Sequence, residues 1–334
     1  MTVTDLQTLS SGDPDADPSD IGSDKAIAGK SPTRIALQRL RSDKVAVISA
    51  SIIFFFVLLA LFAPLIAKAW GVQPEGASAS EFVLNGLPKI GPPLHGFIWS
   101  HPFGVDPNTG NDLFARWLYG ARLSLGIALT TTILTTIIGI TIGLLAGFSR
   151  GWLDRVLSFF IDFFLAFPFL LGALAITPMI NRKFADDPDK LVWAQIGALI
   201  FVLTILGWMP MARLIRGQVL GLREREFVQS AEVIGVPTRQ ILFKELLPNM
   251  TAPIIIAVSL ALPAFVAAEA GLSFLGIGIT GAPSWGQTIS DASNYYDTYP
   301  LYLWPSVLGV AILVLTLNLL GDSIRDAFDP KTRR

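Results

Sequence analysis

Six long stretches of almost uninterrupted apolar residues limit what this chain can fold into. A helix needs about 20 such residues to cross a hydrocarbon core of about 30 Å. The stretches span residues 45–67, 123–149, 156–181, 191–212, 246–268 and 299–321. They are continuous and do not alternate apolar with polar residues, so they are typical of helices and not of the strands of a closed barrel. The sequence therefore predicts an all-α membrane protein with six transmembrane helices.

The composition agrees with a membrane protein and excludes several other classes. Hydrophobic residues make up 52% of the chain and charged residues only 15%, whereas about a quarter of the residues of a soluble protein are charged. The absence of cysteine excludes disulfides, thiolate metal sites and cysteine nucleophiles. A net charge of −1 argues against nucleic acid as a partner, because binding to phosphates needs a clustered excess of cations.

Lysine and arginine predict the orientation in the membrane, since they are concentrated in short loops on the cytoplasmic side. If the N-terminus is cytoplasmic, 18 of the 25 cations lie in cytoplasmic segments and the other 7 lie outside. The opposite orientation would reverse this bias. We therefore expect both termini on the cytoplasmic side.

The apolar stretches divide the chain into segments of different character. Residues 1–33 carry six aspartates among Ser, Gly and Pro, which predicts a disordered acidic cytoplasmic tail. An amphipathic flank and the first span follow at 34–68, and a Gly/Pro-rich extracytoplasmic loop at 69–120. The main transmembrane domain then occupies 121–324, with a short cytoplasmic tail at 325–334.

Two features of the extracytoplasmic loop need interpretation. His95 and His101 are six residues apart, which matches no helical face, and neither cysteine nor a tight carboxylate cluster accompanies them. No metal site is therefore predicted. Residues 111–122 place Leu113 and Trp117 at helical spacing beside two arginines, which favours a short helix at the membrane interface.

The longest predicted cytoplasmic loop, residues 213–247, exceeds a simple connection, since most helix connections have about 2–8 residues. Phe227, Ala231 and Ile234 recur at helical spacing, and Gly235 then ends that helix. Two short helices separated by a glycine are therefore predicted on the cytoplasmic face. Passive packing on the membrane and contact with a partner are both compatible with this composition.

The same loop carries a motif. Permease subunits of binding-protein-dependent ABC importers have Glu-Ala-Ala, then a glycine after three residues, and later a closing Leu-Pro. Here Gln229-Ser230-Ala231, Gly235 and Leu247-Pro248 take these positions, with Gln229 and Ser230 departing from the usual Glu and Ala. The loop thus resembles that family.

Four further segments are similar to the C-type permease of the dipeptide and oligopeptide branch. They are residues 111–125, 162–168, 269–276 and 318–330. The resemblance extends from about residue 35 to residue 330 and leaves only the acidic tail uncovered.

The resemblance implies a non-catalytic subunit of an ATP-driven importer in the inner membrane of a bacterium. It implies three kinds of partner: a second, homologous permease, two ATPase subunits or domains that bind ATP and Mg, and an extracytoplasmic substrate-binding protein. The cargo would be di- or oligopeptides. This chain has no Gly-x-x-x-x-Gly-Lys-Ser/Thr loop, so no cofactor is expected on it.

The family's mechanism assigns the cytoplasmic loop to the ATPase contact. A short helix enters a groove of the ATPase and transmits its closure, and the membrane helices then alternate access between the two sides. Phe227, Ala231 and Ile234 would enter the groove, with Arg223, Arg225 and Glu226 at its rim. The full set of expected contact residues is Arg223, Arg225, Glu226, Phe227, Gln229, Ser230, Ala231, Ile234, Gly235 and Pro248.

Three polar residues inside the apolar stretches are candidates for the translocation path: Glu269, Asp162 and Asn318. An ionisable group at such depth costs at least ~2.5–3.5 kcal/mol, so it normally faces a cavity or a partner. The alternatives are pairing at the interface with the second permease and, for Asp162, snorkelling towards the inner surface near Arg150 and Arg155.

Three other functions, those of a channel, a secondary transporter and a hydrolase, fit the sequence less well. Residues 270–290 are uncharged and glycine-rich and could re-enter the membrane as the filter of a channel, but a simple pore does not need so elaborate a cytoplasmic loop. A secondary transporter would show an internal repeat, and none is evident. A hydrolase of the Gly-x-Ser-x-Gly type is disfavoured because Leu275 stands at the second glycine position.

Overall fold

The computed structural model describes residues 32–75, 82–84, 87–89, 98–107, 109–184 and 186–329. The predicted disorder of the acidic tail and the position of His95 fall outside these residues. Within them the protein is predominantly helical, as the sequence predicts, and its only strands are two short antiparallel ones, β1 (Val83–Leu84) and β2 (Leu87–Pro88).

Most of the predicted spans are present as long helices. A short helix α1 (Pro32–Ser42) precedes α2 (Lys44–Trp70), and α3 (Leu113–Phe148) is the longest helix. Further along the chain come α11 (Thr251–Phe274) and, near the C-terminus, α13 (Pro300–Phe328). The described residues contain five helices long and apolar enough to cross a membrane, or six if one bent pair counts as a span.

The bent pair is the third predicted span. It consists of α4 (Trp152–Ala166) and α5 (Phe169–Lys183), and the chain bends by 79° between them. Pro168 in this apolar stretch predicts a kink, and the structure shows a break at Phe167 and Pro168. Proline removes a backbone donor and disfavours a helical conformation of the residue before it.

The fourth span is also built from two helices, α6 (Pro188–Ile205) and α7 (Met209–Leu222), which together form one candidate span from Lys190 to Leu222. The helical structure therefore continues ten residues past the predicted end of this span at residue 212. Residues 213–222, the basic first part of the predicted cytoplasmic loop, are therefore helical, and the cytoplasmic location of this segment stays a prediction.

The prediction of a separate interfacial helix at 111–122 is also wrong. Asp112 is the N-cap of α3, where its Oδ1 accepts a hydrogen bond from the Ala115 amide at 2.6 Å, and the helix then runs without interruption into the membrane segment. The apolar pattern changes at Arg122 but the backbone does not, because nothing between Leu113 and Phe148 breaks a helix.

α3 is the centre of the fold and packs on α2, α4, α6, α7 and α11. Its glycine ridge, Gly139, Gly143 and Gly147, faces α7. A Cβ atom at Gly143 would lie 2.7 Å from the carbonyl oxygen of Ala212, and one at Gly147 would lie 2.6 Å from Val219 Cβ. The ridge therefore serves a contact inside this subunit, which allows the two backbones to approach closely.

Residues 270–290, the segment with the composition of a channel filter, are packed inside the subunit through Trp285. Residues 275–284 lead into a short helix, α12 (Trp285–Ala292), which begins at the N-cap Ser284. The Trp285 ring is completely buried: it lies against Gly120 and Gly309, and its Nε1 donates to the Trp117 carbonyl oxygen at 2.9 Å. A buried indole fills the position where a filter would need open backbone.

Candidate coupling and translocation sites

The predicted pair of short helices after the fourth span is present. The first is α8 (Glu226–Val233), and the second is a composite of α9 (Thr238–Gln240), a π-helix (Ile241–Leu246) and α10 (Leu247–Asn249). Pro248 stands exposed in α10. π-helical turns are rare and occur frequently at functional sites.

Gly235 sets the angle between the two helices, as predicted. It has a φ of +82°, a conformation that favours glycine. Its amide donates to the Glu232 carbonyl and the Val236 amide to the Ala231 carbonyl, both at 3.0 Å, which is the hydrogen-bond pattern of a Schellman motif. The backbone conformation of this turn is by itself a sufficient reason for glycine at this position.

α8 packs against the membrane domain through Val228, which is not part of the predicted apolar stripe. Val228 is completely buried in a cluster that includes Ile215 and Val219 of α7 and Ile241 and Leu246 of the π-helix. The side chain of Arg223 also points inward, since its Nη1 donates to the Gly147 carbonyl oxygen at 3.2 Å. Arg223 thus takes part in packing inside the subunit and not only at an outer rim.

The opposite side of α8 is apolar and uncovered. The exposed fractions are 40% for Phe227, 87% for Val233 and 80% for Ile234. Val233 was not among the predicted contact residues, although its position next to Ile234 at the end of the helix was a usable signal. Polar groups surround this exposed patch: Arg225, Glu226, Gln229 and Ser230 are all exposed, and Ala231 is half-buried.

The three intramembrane polar residues have different surroundings. The Asp162 carboxylate is paired with Arg213, with 2.5 Å between Oδ1 and Nη2, and both side chains are largely exposed. Its partner is therefore neither Arg150 nor Arg155. Asn318 lies exposed on α13 and donates to the Val314 carbonyl of its own helix at 2.9 Å. Roles of these residues in translocation stay predictions.

Glu269 lies in the interior of the subunit. Its side chain is completely buried, and Ser273 donates to its Oε1 at 2.8 Å. The hydroxyls of Ser124, from α3, and Ser284, from the start of α12, lie beside the same carboxylate. Glu269 thus joins three helices at the outer end of the fold, and in this conformation its carboxylate faces packed protein and no open cavity.

In the segment that precedes α3, His101 contacts the residue that caps the helix, Asp112. Its Nδ1 lies 2.6 Å from Asp112 Oδ2, and Asp112 is nearly inaccessible. Burial raises the pKa of the Asp112 carboxyl, and hydrogen bonds from the Ala115 amide and His101 partly offset this effect. Among the described residues, no three His, Asp or Glu side chains come together as a metal site would require.

An open groove of about 370 Å³ lies between α3, α7 and α11. Thr135 and Thr136 line one side, Pro210 another, and Ala261 and Ala264 a third. Met211, Leu260 and Phe265 also line the groove, so it is mostly apolar and its two threonines supply hydroxyl groups.

Comparison with known proteins gives a consistent result. Residues 139–334 match the family described as binding-protein-dependent transport system inner membrane component, and residues 31–74 match the N-terminal transmembrane domain of oligopeptide transport permease C. The dipeptide transport system permease protein DppC of Alkalihalophilus pseudofirmus is 32% identical, over 91% of each chain. The oligopeptide transport system permease protein OppC of Salmonella typhimurium is 32% identical, over 92% of this chain and 94% of that protein.

The fold has a counterpart among solved structures. A chain of the inward-facing MetNI methionine ABC transporter superposes with a TM-score of 0.52 at 19% identity and covers 65% of this chain and 98% of that one. The chain has long apolar helices, a pair of short helices joined at Gly235, and relatives of this kind along nine-tenths of its length. It belongs to the inner membrane permease components of binding-protein-dependent ABC transport systems and is similar to the C-type permeases of dipeptide and oligopeptide transport.

Proposed function

We propose that this chain is one of two membrane-spanning permeases of an ATP-driven peptide importer. It forms the translocation path together with a second, homologous permease. Two ATPase subunits or domains bind ATP and Mg and drive alternating access, and an extracytoplasmic binding protein delivers di- or oligopeptides. Both termini lie in the cytoplasm.

The observation that carries the proposal is the exposed apolar patch of α8, formed by Phe227, Val233 and Ile234. A soluble loop gains nothing from exposing two β-branched side chains almost completely, and such patches mark sites that bind another protein. The patch stands on a short helix anchored by Val228, so a partner that pushes on it displaces the whole helix.

The peptide cargo is inferred from the relatives, whose names describe dipeptide and oligopeptide transport. The groove between α3, α7 and α11 is a suitable part of the path, because it is open and Thr135 and Thr136 supply hydroxyl groups in an otherwise apolar lining. Asp162 lies on the exposed part of α4 and Asn318 on that of α13, where polar side chains are compatible with such a path.

The coupling patch is tested by Ile234→Asp in the complete complex in proteoliposomes. We expect binding-protein-stimulated ATP hydrolysis and peptide uptake to fall by about tenfold or more, because hot-spot residues of an interface contribute about 2 kcal/mol or more each. Since Ile234 is exposed, the variant permease is expected to fold and insert normally.

Ile234→Leu is the matched control, since it preserves apolar area at the same position and should retain most activity. Uptake of labelled di- and tripeptides, with free methionine as a competitor, tests the cargo. Normal coupling in Ile234→Asp would contradict the role of α8, whereas uptake of methionine but not peptides would contradict the cargo alone.

A further inference from the structure

Three arginines lie along one side of α7 and just beyond its end. Arg216 follows Arg213 by three residues and Arg223 follows Arg216 by seven, and residues at these spacings share a helical face. Each contacts a group that precedes that arginine by more than fifty residues: Asp162, Asp154 and the carbonyl oxygen of Gly147, respectively.

The contact between Arg216 and Asp154 is the best formed. Nε and Nη2 of Arg216 both donate to Asp154 Oδ1, at 3.1 and 2.9 Å, and Ser158 donates to the same oxygen at 3.0 Å. The side chains are only 30% and 26% exposed. A partly buried, doubly hydrogen-bonded pair holds two helices together more firmly than an exposed ion pair does.

A fourth contact extends this series to the coupling helix. Arg150, in the turn between α3 and α4, lies 3.6 Å from Glu232 of α8. Arg223 lies between α7 and α8 and bonds to the end of α3. α8 is therefore linked on the same side to α3, α4 and α7. We call α4, α7 and α8, with these polar contacts, the inner body.

The inner body ends where two spans break. The chain bends between α4 and α5 at Phe167 and Pro168, and helix α6 ends and α7 begins around Gly207. The two breaks are adjacent in space: a Cβ at Gly172, near the start of α5, would lie 2.7 Å from Cδ1 of Leu206.

The helices that pack together are different on the two sides of these breaks. On the inner side of the breaks α4 packs on α3 and α7, whereas on the outer side α5 packs on α6. Ala173 of α5 lies in one apolar cluster with Leu199 and Leu203 of α6, and Ile161 of α4 lies in another with Met209 and Ala212 of α7. Each half of the two broken spans therefore forms its own packed unit.

We propose that the ion pairs make α4, α7 and α8 one rigid body that turns against α5 and α6 at the two adjacent breaks. Asp154 and Arg216 are its positioning residues, since they fix the helix that bends, α4, to the helix that is moved, α7. This inference depends on the proposed coupling of α8 to an ATPase, which supplies the displacement.

The physical reason is that α4 packs on α3 and α7 along one side and is open along the other. Trp152, Phe159 and Phe163 of α4 are 72%, 62% and 53% exposed. Without the polar contacts, a displacement of α8 would reach α7 but would be only partly shared by α4. The third span would then stay in place while the fourth moves.

The test uses the absence of cysteine in the native chain. Spin labels at Val156→Cys and Gln218→Cys report the distance between α4 and α7 within the inner body, and labels at Val156→Cys and Leu174→Cys report the distance from α4 to α5 across the break. Both distances are measured by pulsed EPR in the complete complex, with partner chains freed of reactive cysteines, without nucleotide and with ATP trapped.

We expect ATP to change the distance across the break and to leave the distance within the inner body unchanged. In the pair of variants Asp154→Asn and Arg216→Gln the inner distance should become broad or ATP-dependent, and uptake should fall about 2- to 30-fold while ATP hydrolysis continues. The conservative Asp154→Glu should restore both readouts in part. Lys190→Gln, which removes an exposed pair with Asp187 at the outer side, is the control and should change neither.

The outcomes distinguish the hypothesis of a rigid inner body from the proposed coupling of α8 to an ATPase. If ATP changes both distances equally in the native chain, or if Asp154→Asn keeps normal uptake and a narrow inner distance, the rigid body is wrong. If ATP changes neither distance, the proposed coupling itself is overturned, and with it the motion at the breaks.

Discussion

The exposed faces of α2 and α7 differ in a way that tells what covers each. α2 exposes large apolar side chains along its length, among them Phe54, Leu61 and Leu65. α7 exposes Gly217, Gln218 and Arg213, in the last part of the apolar span that ends at Leu222. Lipid tails interact well with the first set and poorly with the second, in which backbone and polar groups are open. We infer that α2 faces lipid and that α7 faces protein or a hydrated path.

The largest effect is expected from placing the same charge on both faces. Leu61→Asp puts a carboxylate into the lipid-facing side of α2 and should weaken insertion by about 2.5–3.5 kcal/mol, because the bilayer core cannot solvate it. Gly217→Asp on α7 should insert almost normally. The yield of folded, membrane-extracted protein measures the difference, and equal losses in the two variants would remove the distinction between the faces.

A smaller effect is expected on the side of α7 that packs against α3. Gly143→Leu on α3 would force a side chain against the backbone of α7, and we expect a loss of about 1–3 kcal/mol of stability, since overpacking a closed contact displaces helices. Gly126→Leu on the same helix meets open space and is the matched control. Thermal unfolding in detergent compares them; similar midpoints would mean that the ridge is not a close contact.

The smallest perturbation is a single thiol on each face. A membrane-impermeant maleimide should react with Gly217→Cys in the isolated permease, and the second permease should protect this thiol in the complex or leave it accessible along the path. Leu61→Cys should stay unreactive in both states, because a thiol in lipid does not ionise. Reaction of Leu61→Cys in intact proteoliposomes would show that α2 is not covered by lipid.

The sequence predicted those parts of the fold that depend on local pattern. Six apolar runs gave the helices, Pro168 indicated the break in the third span, and Gly235 with its spacing gave the turn between the cytoplasmic helices. The start of α3 was missed because its outer turns are amphipathic, although no residue there ends a helix. The register of α8 was not predictable, since apolar residues occur on both of its sides and only packing decides which side is covered.

The partners of the polar residues could not be predicted. Asp162 and Arg213 are 51 residues apart, and the serines around Glu269 come from three separate segments. Hydrophobic periodicity places a residue on a face but does not say which other helix lies opposite. The sequence therefore identified candidate residues for the path and left their contacts, and so their roles, open.

The length of α3 has a further consequence for communication across the membrane. Its 36 residues form a rod of about 54 Å, so at ordinary tilts several turns extend beyond the hydrocarbon layer of about 30 Å. The outer end of this rod carries the loop around His101, and its inner end supports Arg223. A delivery protein that binds that loop would thus contact one end of a continuous helix whose other end holds, through Arg223, the helix that we propose to bind an ATPase.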